Sequence, residues 1–182
     1  MSIRLAIPSD ASEIQAIYAH YCESTVISFE SEAPSVTEMA GRMARVQATL
    51  PWLVAVTDGH LDGYAYATQH RERAAYRWSV DVSVYLRTDC RGRGLGRALY
   101  TPLLQILRTQ GYVRAHAGIT LPNPASVGLH EAMGFTFVGA YPDVGYKVGA
   151  WHATGWWTLA LRTVEGEPAE PRGIGEVGSG LG

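Results

Sequence analysis

The strongest chemical signal in the sequence is a glycine-rich loop at residues 92–96, which joins an apolar, alternating segment to a helical one. Such a loop presents several backbone N–H groups at the positive end of a helix dipole, where they can hold a phosphate or pyrophosphate. Arg91, Arg93 and Arg97 add positive charge beside it. The alternative interpretation is a glycine-rich connection with solvated arginines. The loop is therefore a candidate site for a phosphorylated cofactor.

Two common nucleotide-binding patterns do not fit this loop. The phosphate-loop pattern of ATPases needs a lysine after its last glycine, and the single lysine of the chain, Lys147, lies far downstream. The dinucleotide pattern Gly-x-Gly-x-x-Gly fails because neither Gly92 nor Gly94 has a glycine at the required final position. These mismatches exclude a phosphate-loop ATPase and argue against a Rossmann dehydrogenase.

Two segments together resemble a known family. Residues 91–96, Arg-Gly-Arg-Gly-Leu-Gly, resemble the Arg/Gln-x-x-Gly-x-Gly/Ala acetyl-coenzyme A loop of the GNAT family of N-acetyltransferases. Residues 123–135 resemble the second signature of that family, an asparagine before a short helix that ends in Gly-Phe. Within the family the chain is most similar to the phosphinothricin and methionine sulfoximine acetyltransferases, from the first strand to about Leu161. This likeness is carried by residues 51–55, 73–80, 83–86, 129–132 and 145–152.

The resemblance implies a fold and a cofactor. The fold is the GNAT α/β domain, in which a mixed, mostly antiparallel central sheet is splayed at the cofactor site and flanked by helices. Acetyl-CoA would lie between the splayed strands, with its pantetheine on the strand backbone, its pyrophosphate on the loop and its acetyl end near Asn123. For Asn123 the alternative is a turn residue before Pro124. The cofactor-binding residues implied are Val84, Tyr85, Leu86, Arg91, Gly92, Arg93, Gly94, Leu95, Gly96, Arg97, Asn123 and Ser126.

The resemblance also implies a catalytic carboxylate. Acetyl transfer to an amine needs a base, because an ammonium must lose a proton before it can attack. The family carries a glutamate on the central strand for this purpose, and this chain has Asp81 at the matching position. Aspartate is one methylene shorter, so we expect a water relay. Asp81 alternates with Val80 and Val82, which puts it on the opposite face of the sheet, where desolvation would raise its pKa. The alternative is that Asp81 only pairs with Arg73 or Arg77.

His130 is the second catalytic candidate. It matches a position where many relatives carry a tyrosine acid and the phosphinothricin-like branch carries histidine, so it could protonate the leaving sulfur or help to deprotonate the amine. The alternative is a structural histidine.

His130-Glu131 begins like the zinc motif His-Glu-x-x-His, but Gly134 stands in its last place. Pro124, two residues before Ser126, excludes a Gly-x-Ser-x-Gly nucleophile elbow. No metal and no covalent enzyme intermediate is expected.

The acceptor site would have to hold an anion. A small amino acid with a phosphinate, sulfoximine or carboxylate group needs cations that bind these groups while its amine faces the base. Arg71 and Arg73, which precede the Asp81 strand, suit this role through bidentate geometry. The alternative is a solvated loop. By resemblance, Phe29, Glu30 and Tyr76 match pocket-lining positions.

The elements that must position these residues follow from hydrophobic periodicity. The pattern predicts strands at residues 3–7, 52–56, 61–68, 76–86, 112–119, 135–140 and 156–161, and helices after residues 10 and 35 and at 92–110 and 126–133. This order predicts a mixed sheet with helices on its faces. Capping boxes are predicted at residues 10–13 and 35–38, and Pro102 predicts a kink or a restart in the third helix.

Composition sets the limits on class and location. The chain has 182 residues, 47% of them hydrophobic and 18% charged, which predicts one folded domain at residues 1–164. Residues 165–182, rich in glycine, proline and glutamate, are predicted to form a flexible tail. The net charge of -2 argues against nucleic-acid and membrane partners. Two cysteines without a Cys-x-x-Cys pattern, together with the lack of a signal peptide or a long apolar run, predict a cytoplasmic protein.

The resulting hypothesis is an N-acetyltransferase that moves the acetyl group of acetyl-CoA to the amine of a small amino acid by direct attack. Two alternatives remain open at this point. The acceptor could be a polyamine, an aminoglycoside or a protein N-terminus, or the chain could be a catalytically weak acetyl-CoA-binding sensor. The resemblance further implies a homodimer, with Trp151, Trp156 and Trp157 as a candidate interface.

Overall fold

Seven strands form one mixed sheet in the computed structural model, which describes residues 1–178. The strands are β1 (Ser2–Leu5), β2 (Trp52–Thr57), β3 (His60–Gln69), β4 (Ser79–Leu86), β5 (Arg114–Leu121), β6 (Thr136–Lys147) and β7 (Ala150–Ala160). Their order in the sheet is β1-β2-β3-β4-β5-β7-β6. The helices are α1 (Ala11–Ser24), α2 (Val36–Gln47), α3 (Leu95–Gln110), α4 (Pro124–Ala132) and the short α5 (Ile174–Val177). No helix of this described part has the length and apolar character needed to cross a bilayer.

The sheet opens between β4 and β5. These strands run parallel and pair through three positions, the last of which is Asp81 opposite His116. Beyond that pair β4 continues to Leu86 and β5 to Leu121 without pairing to each other. On its other side β4 remains paired with β3 along its whole length up to Leu86. The predicted splayed sheet is therefore confirmed, and Asp81 lies at the point where the two strands part.

Helices pack on both faces of the sheet and divide the core in two. The α3 side contains Val80, Val82 and Leu99, all buried. The α1 and α2 side contains Ile14 and Tyr64, also buried. Because strand side chains alternate between faces, the β4 residues next to the two valines point toward the α1 and α2 side. This is the face that the alternation predicted for the carboxylate of β4.

The predicted elements occur in the predicted order, and the largest difference lies at β6 and β7. The prediction left residues 141–155 without regular structure, whereas β6 reaches Lys147 and β7 begins at Ala150. Irregularities in the pairing between Phe137 and Gly139, and between Tyr141 and Gly145, interrupt the period of two that marks a strand. Tyr76, predicted as part of a strand, lies in a 3-10 turn instead.

One of the two predicted capping boxes is present. Ser35 and Glu38 bond to each other's backbone N–H groups, at 3.2 and 2.7 Å, as predicted. The box at residues 10–13 is wrong, because the Asp10 carboxylate accepts two hydrogen bonds from the Arg4 guanidinium, at 2.7 and 2.8 Å. Glu13 accepts a backbone N–H of β3 instead. The bidentate ion pair of the buried Asp10 replaces the cap that its position predicted.

Helix α3 begins later than predicted and passes through its proline. Gly92 and Gly94 take φ values of 74° and 78°, in the left-handed region, so the helix begins only at Leu95. It continues through Pro102 as one element, and the predicted restart there is wrong. The helix ends before Gly111, whose φ of 100° satisfies the predicted C-terminal stop.

Part of the segment predicted as a flexible tail, residues 165–182, packs back on the domain. The buried side chain of Gln110 donates hydrogen bonds to the carbonyl oxygens of Thr49, at 2.7 Å, and Arg172, at 2.8 Å. Apolar side chains of α5 pack against the core on the α3 side. Composition alone does not reveal such contacts, and the flexibility of residues 165–182 stays a prediction. Its last four residues lie outside the described range.

Deleting residues 168–182 should lower the free energy of unfolding by about 1–3 kcal/mol, because it removes a partner of the buried Gln110 amide and uncovers apolar surface. Urea unfolding of the full and shortened chains measures the difference. As a control, Glu170→Gln breaks only an exposed ion pair with Arg77 and should leave stability unchanged. Equal stability of the shortened chain would contradict the packing of the segment.

Candidate active site

The opening between β4 and β5 contains two neighbouring cavities that share Ile27, Val84, Asn123 and Ser126. The larger has a volume of about 390 Å³ and the smaller about 50 Å³. Besides the shared residues, the larger is lined by Tyr21, Leu86, Arg91, Gly92, Gly94, Leu95, Gly96, Arg97, Ala125 and Leu129. Of the predicted cofactor residues, Tyr85 lines only the smaller cavity, and Arg93 lines neither.

The loop before α3 leaves backbone donors free at the larger cavity. Gly94 is the N-cap residue of the helix and has no side chain that could accept the N–H groups of the first turn. Gly96 in that turn lies against Leu129 of α4, and a Cβ atom there would stand 2.8 Å from its Cδ2. The positive end of α3 thus faces the cavity, and an anion can approach its backbone closely.

The backbone of β4 offers fewer free groups to the opening than predicted. Tyr21 Oη donates to the carbonyl oxygen of Leu86, at 2.6 Å, and accepts its N–H, at 3.1 Å. Backbone groups along a strand alternate in direction, so those of Val82 and Val84 also point into the opening, while those of Tyr85 point to β3. The Asp81–His116 pair uses the N–H of Val82, so the opening is left with the carbonyl oxygen of Val82 and the backbone groups of Val84, whereas those of Leu86 are already bonded.

Asn123 stands at the start of α4 and caps it. Its Oδ1 accepts the backbone N–H of Ser126 at 3.2 Å. The residue also lines both cavities, so its cap role and its place in the opening are combined. Asn123 is therefore not only a residue of the turn before Pro124, which was the alternative interpretation of the sequence.

His130 is buried, and both of its ring nitrogens are occupied. Nδ1 lies 2.7 Å from the carbonyl oxygen of Ser126 and must donate to it, so Nε2 accepts the hydroxyl hydrogen of Tyr100 at 3.0 Å. Burial lowers the pKa of His130 and raises that of Tyr100. Both side chains line the smaller cavity. The sequence analysis did not find Tyr100, because it lies within the apolar stripe of α3 and is typical of a core residue there.

Asp81 pairs with a histidine and not with an arginine. Its Oδ1 lies 2.6 Å from Nδ1 of His70, in the segment that follows β3. Burial raises the pKa of the Asp81 carboxyl, although His70 and Arg71 oppose this shift. The alternative pairing with Arg77 is wrong, because Arg77 Nε donates to Glu170 at 2.7 Å. Within residues 1–178 Arg73 forms no ion pair with Asp81 either.

A cluster of rings surrounds this carboxylate. The ring of His70 is stacked on that of His116, with 4.4 Å between their centroids, and Tyr76 and Trp156 contact it at 5.9 and 6.1 Å. Burial, together with nearby positive groups, lowers the pKa of His116 to about 4, so this ring is neutral at neutral pH. No motif points to a lone histidine in a loop, and the sequence analysis missed His70.

The predicted acceptor residues fall into two groups. Arg71 and Tyr76 lie beside the cluster, where Arg71 Nη1 donates to the carbonyl oxygen of His70 and its guanidinium lies 5.7 Å from the Trp156 ring. Arg73 is exposed in the same loop. This loop therefore places positive charge near the Asp81 carboxylate, as its position in the sequence predicted.

The second group, Phe29 and Glu30, lies in the segment between α1 and α2. The Glu30 carboxylate accepts two hydrogen bonds from Arg42, at 2.7 and 3.0 Å, and one from Tyr18, and the guanidinium lowers the pKa of Glu30. Tyr66 lies between the groups: burial raises the pKa of its hydroxyl, and the charges of Glu30 and Asp81 raise it further. Neither Arg42 nor Tyr66 was found from the sequence.

Lys147, on the β6–β7 hairpin, binds the segment between α1 and α2. Its ammonium donates to three backbone carbonyl oxygens, those of Cys22, Ser28 and Glu30, at 2.6, 2.7 and 2.8 Å. The Phe29 ring packs on Gly145 of the same hairpin. The only lysine of the chain therefore holds the segment that contains Phe29 and Glu30, two predicted acceptor residues, against the hairpin.

Comparison with known proteins agrees with this geometry. Residues 3–156 match the acetyltransferase (GNAT) domain. The chain is 38% identical over 174 residues to a phosphinothricin N-acetyltransferase of Streptomyces viridochromogenes, which covers 96% of this chain and 93% of the relative. It is 34% identical over 152 residues to an L-methionine sulfoximine/L-methionine sulfone acetyltransferase of Salmonella typhimurium, which covers 83% and 89%.

The fold agrees equally well with a solved structure. The crystal structure of a GNAT superfamily phosphinothricin acetyltransferase from Sinorhizobium meliloti, in complex with AcCoA, matches with a TM-score of 0.90 and 33% identity over 94% of each chain. The resemblance proposed from two sequence signatures is thereby confirmed. The chain belongs to the GNAT family and is an acetyl-CoA-dependent N-acetyltransferase.

Proposed function

We propose that this enzyme acetylates the amine of a small amino acid of the phosphinothricin or methionine sulfoximine type, with Asp81 as the base. The observation that carries the proposal is the position of the Asp81 carboxylate. It lies where β4 and β5 part, its pKa is raised by burial, and the arginine-bearing loop lies beside it. The names of the relatives in Streptomyces viridochromogenes and Salmonella typhimurium support the same acceptor class.

The cofactor would occupy the opening and the larger cavity. The free carbonyl oxygen of Val82 and the backbone groups of Val84 would pair with the pantetheine, and the first turn of α3 would hold the pyrophosphate. Asn123 and Ser126 would lie near the acetyl end. Arg91 and Arg97 line the larger cavity and supply charge there.

The reaction would proceed by direct attack. The acceptor's ammonium loses a proton toward Asp81, the free amine attacks the thioester carbonyl, and the tetrahedral intermediate expels the thiolate, which regains a proton. Both nitrogens of His130 are already bonded, so we assign it an indirect part in this step. It would fix the Tyr100 side chain, whose single hydroxyl hydrogen it accepts, in the wall of the smaller cavity.

The arginines favour an anionic acceptor over a polycationic one. Arg71 and Arg73 would bind the acceptor's acidic groups, while Phe29, Glu30 and Tyr76 would shape the cavity around its side chain. Glu30 is already neutralised by Arg42, which leaves little negative charge there for a polyamine. A partly buried carboxylate with a raised pKa is also what a working base requires, and this disfavours a catalytically weak sensor.

Thiol release from acetyl-CoA tests the proposal. Phosphinothricin and methionine sulfoximine should give turnover at least tenfold faster than spermidine, an aminoglycoside or a peptide N-terminus. Faster turnover with one of the cationic acceptors would transfer the assignment to that class. Cofactor binding without thiol release from any of these amines would support the sensor alternative.

Asp81→Ala should reduce kcat by about 10²–10⁴-fold, because the ammonium then lacks its proton acceptor. The dissociation constant for acetyl-CoA, measured by calorimetry, should not change, since Asp81 lines neither cofactor cavity. Turnover at the wild-type rate would remove Asp81 from the base role.

Gly94→Val should raise the dissociation constant for acetyl-CoA by at least about tenfold. A β-branched side chain at a φ of 78° is strained, so the loop must change shape and lose its alignment with the pyrophosphate. Gly128→Ala in α4 is the matched control, because its added methyl group meets no atom within 4 Å. Equal affinity of the Gly94 variant would contradict the loop assignment.

A homodimer forms the remaining part of the proposal. Seven large apolar side chains of the β6–β7 hairpin are more than half exposed on the edge of the sheet: Phe137, Val138, Tyr141, Val144, Tyr146, Val148 and Trp151. An apolar edge of this length favours a partner surface. Of the three predicted interface tryptophans, Trp151 belongs to this surface, whereas Trp157 is buried in the core and Trp156 covers Gly118.

The double variant Val138→Asp/Tyr146→Asp should convert a dimer into a monomer, because it places charges on the exposed apolar edge. Sedimentation velocity measures the state, and circular dichroism checks the fold. Val36→Asp, an exposed valine at the start of α2, is the control and should remain dimeric. A monomeric wild-type chain at tens of micromolar would overturn the dimer.

A further inference from the structure

We infer that His70 is the group that takes the proton from the acceptor's ammonium, and that Asp81 acts through His70 and not through a water molecule. The inference rests on the proposed function and names a further catalytic residue for it.

The hydrogen bond between the two side chains sets the state of the imidazole. Asp81 Oδ1 and His70 Nδ1 are 2.6 Å apart, and an ionised carboxylate can only accept. Nδ1 therefore carries the hydrogen, and Nε2 keeps its lone pair. Within residues 1–178 Nε2 of His70 makes no hydrogen bond, so this lone pair is available to an acceptor molecule. A carboxylate that orients a histidine in this way also stabilises the imidazolium that forms when the histidine accepts a proton.

The other histidines near the site lack this property. His130 uses both ring nitrogens, and His152 uses Nε2 toward the carbonyl oxygen of Lys147. His116 is stacked on His70, but its lowered pKa makes it a weak base. His70 is thus the imidazole of this region that combines an oriented tautomer with a free basic nitrogen.

The position of His70 fits an acceptor that approaches the opening. Asp81 and His116 form the last pair before β4 and β5 part, and the next β4 residues, Val82 and Ser83, line the smaller cavity. The His70 ring therefore stands at the end of the opening. Its side chain remains 15% exposed, which leaves a path for the acceptor.

The charges around the ring permit the transfer. The groups that face His70 are Asp81 from β4, His116 from β5, Trp156 from β7, and Arg71 and Tyr76 from its own loop. His116 is neutral at neutral pH and does not repel an imidazolium. The Asp81 carboxylate balances the charge that the proton brings, and the positive Arg71 would hold the acceptor's anionic group.

The proton balance of the step is complete. Nε2 of His70 forms a bond to one ammonium hydrogen, and the N–H bond of the acceptor breaks with its electron pair left on nitrogen. That pair attacks the thioester carbonyl, and the C–S bond breaks toward the thiolate. The thiolate takes a second hydrogen from the former amine, and the imidazolium releases its proton to solvent. Ammonium and acetyl-CoA thus give amide, free thiol and one proton.

His70→Asn tests the inference, because asparagine can still donate to Asp81 but has no basic nitrogen. We expect kcat to fall about 100-fold, with the acceptor KM and the acetyl-CoA dissociation constant changed less than threefold. The acidic limb of the profile of kcat/KM against pH should be lost. His60→Asn, at an exposed position on β3, is the control and should match the wild type.

Two further measurements separate catalysis from support of the fold. Imidazole added to His70→Ala should restore turnover, and it should not restore Asp81→Ala. The double variant His70→Asn/Asp81→Asn should be no slower than the slower single variant, because the pair acts as one unit. The inference is overturned if imidazole does not restore the turnover of His70→Ala and the losses of the two single variants add in the double variant. This conclusion holds even if His70→Asn is unstable.

The outcomes also separate this inference from the proposed function. If the wild type acetylates none of the acceptors, the proposed function fails. If the wild type is active and His70→Asn keeps its kcat within threefold and its acidic limb, the inference fails while the proposed function stands.

Discussion

The structure depends on one interruption of hydrogen bonding, the point where β4 and β5 stop pairing after Asp81 and His116. A sheet normally fills its interior with such bonds, and unpaired backbone groups inside a protein need other partners. Here Tyr21 bonds the backbone of Leu86, and the carbonyl oxygen of Val82 and the backbone groups of Val84 face the opening. The same divergence opens the cavities, sets the N-terminus of α3 at one end and leaves the Asp81 carboxylate at the other.

Charge is distributed in this protein by local pairing rather than by overall balance. Asp81 meets His70, Glu30 meets Arg42, and Lys147 is solvated by backbone carbonyl oxygens. A buried or half-buried charge is costly unless such partners surround it. A formal net charge of -2 is therefore compatible with a site that attracts two small anions. Partners of this kind also fix where each side chain can point, which matters more for chemistry than the sum of charges.

Much of the fold could be predicted because helices and strands give the sequence a local periodicity of apolar residues. The alternation of Val80 and Val82 predicted the face of the sheet on which Asp81 lies, and the glycines before α3 predicted the loop. Long-range contacts could not be predicted in this way. The bond from His70 to Asp81 depends on how the loop after β3 returns to β4, and Arg42 meets Glu30 from a different helix.

Other failures have the same origin. Tyr100 looks like one more apolar position of α3, and only the fold shows that His130 stands opposite its hydroxyl. The β6–β7 hairpin was missed because bulges break the alternation on which the strand prediction relied. Asp10 shows the reverse case, in which a correct local signal was overridden by an ion pair with Arg4.

The contacts of Lys147 show that the two sides of the opening are supported by different elements. The cofactor side is built from β4, α3 and α4, whereas the segment with Phe29 and Glu30 is attached to the β6–β7 hairpin through the Lys147 ammonium and the packing of Phe29 on Gly145. Substitutions in the segment between α1 and α2 can therefore change the surroundings of Phe29 and Glu30 while the contacts of α3 and α4 stay intact. Such an arrangement makes one side of the opening adjustable by changes in a single short segment, without disturbing the helix N-terminus on the other side.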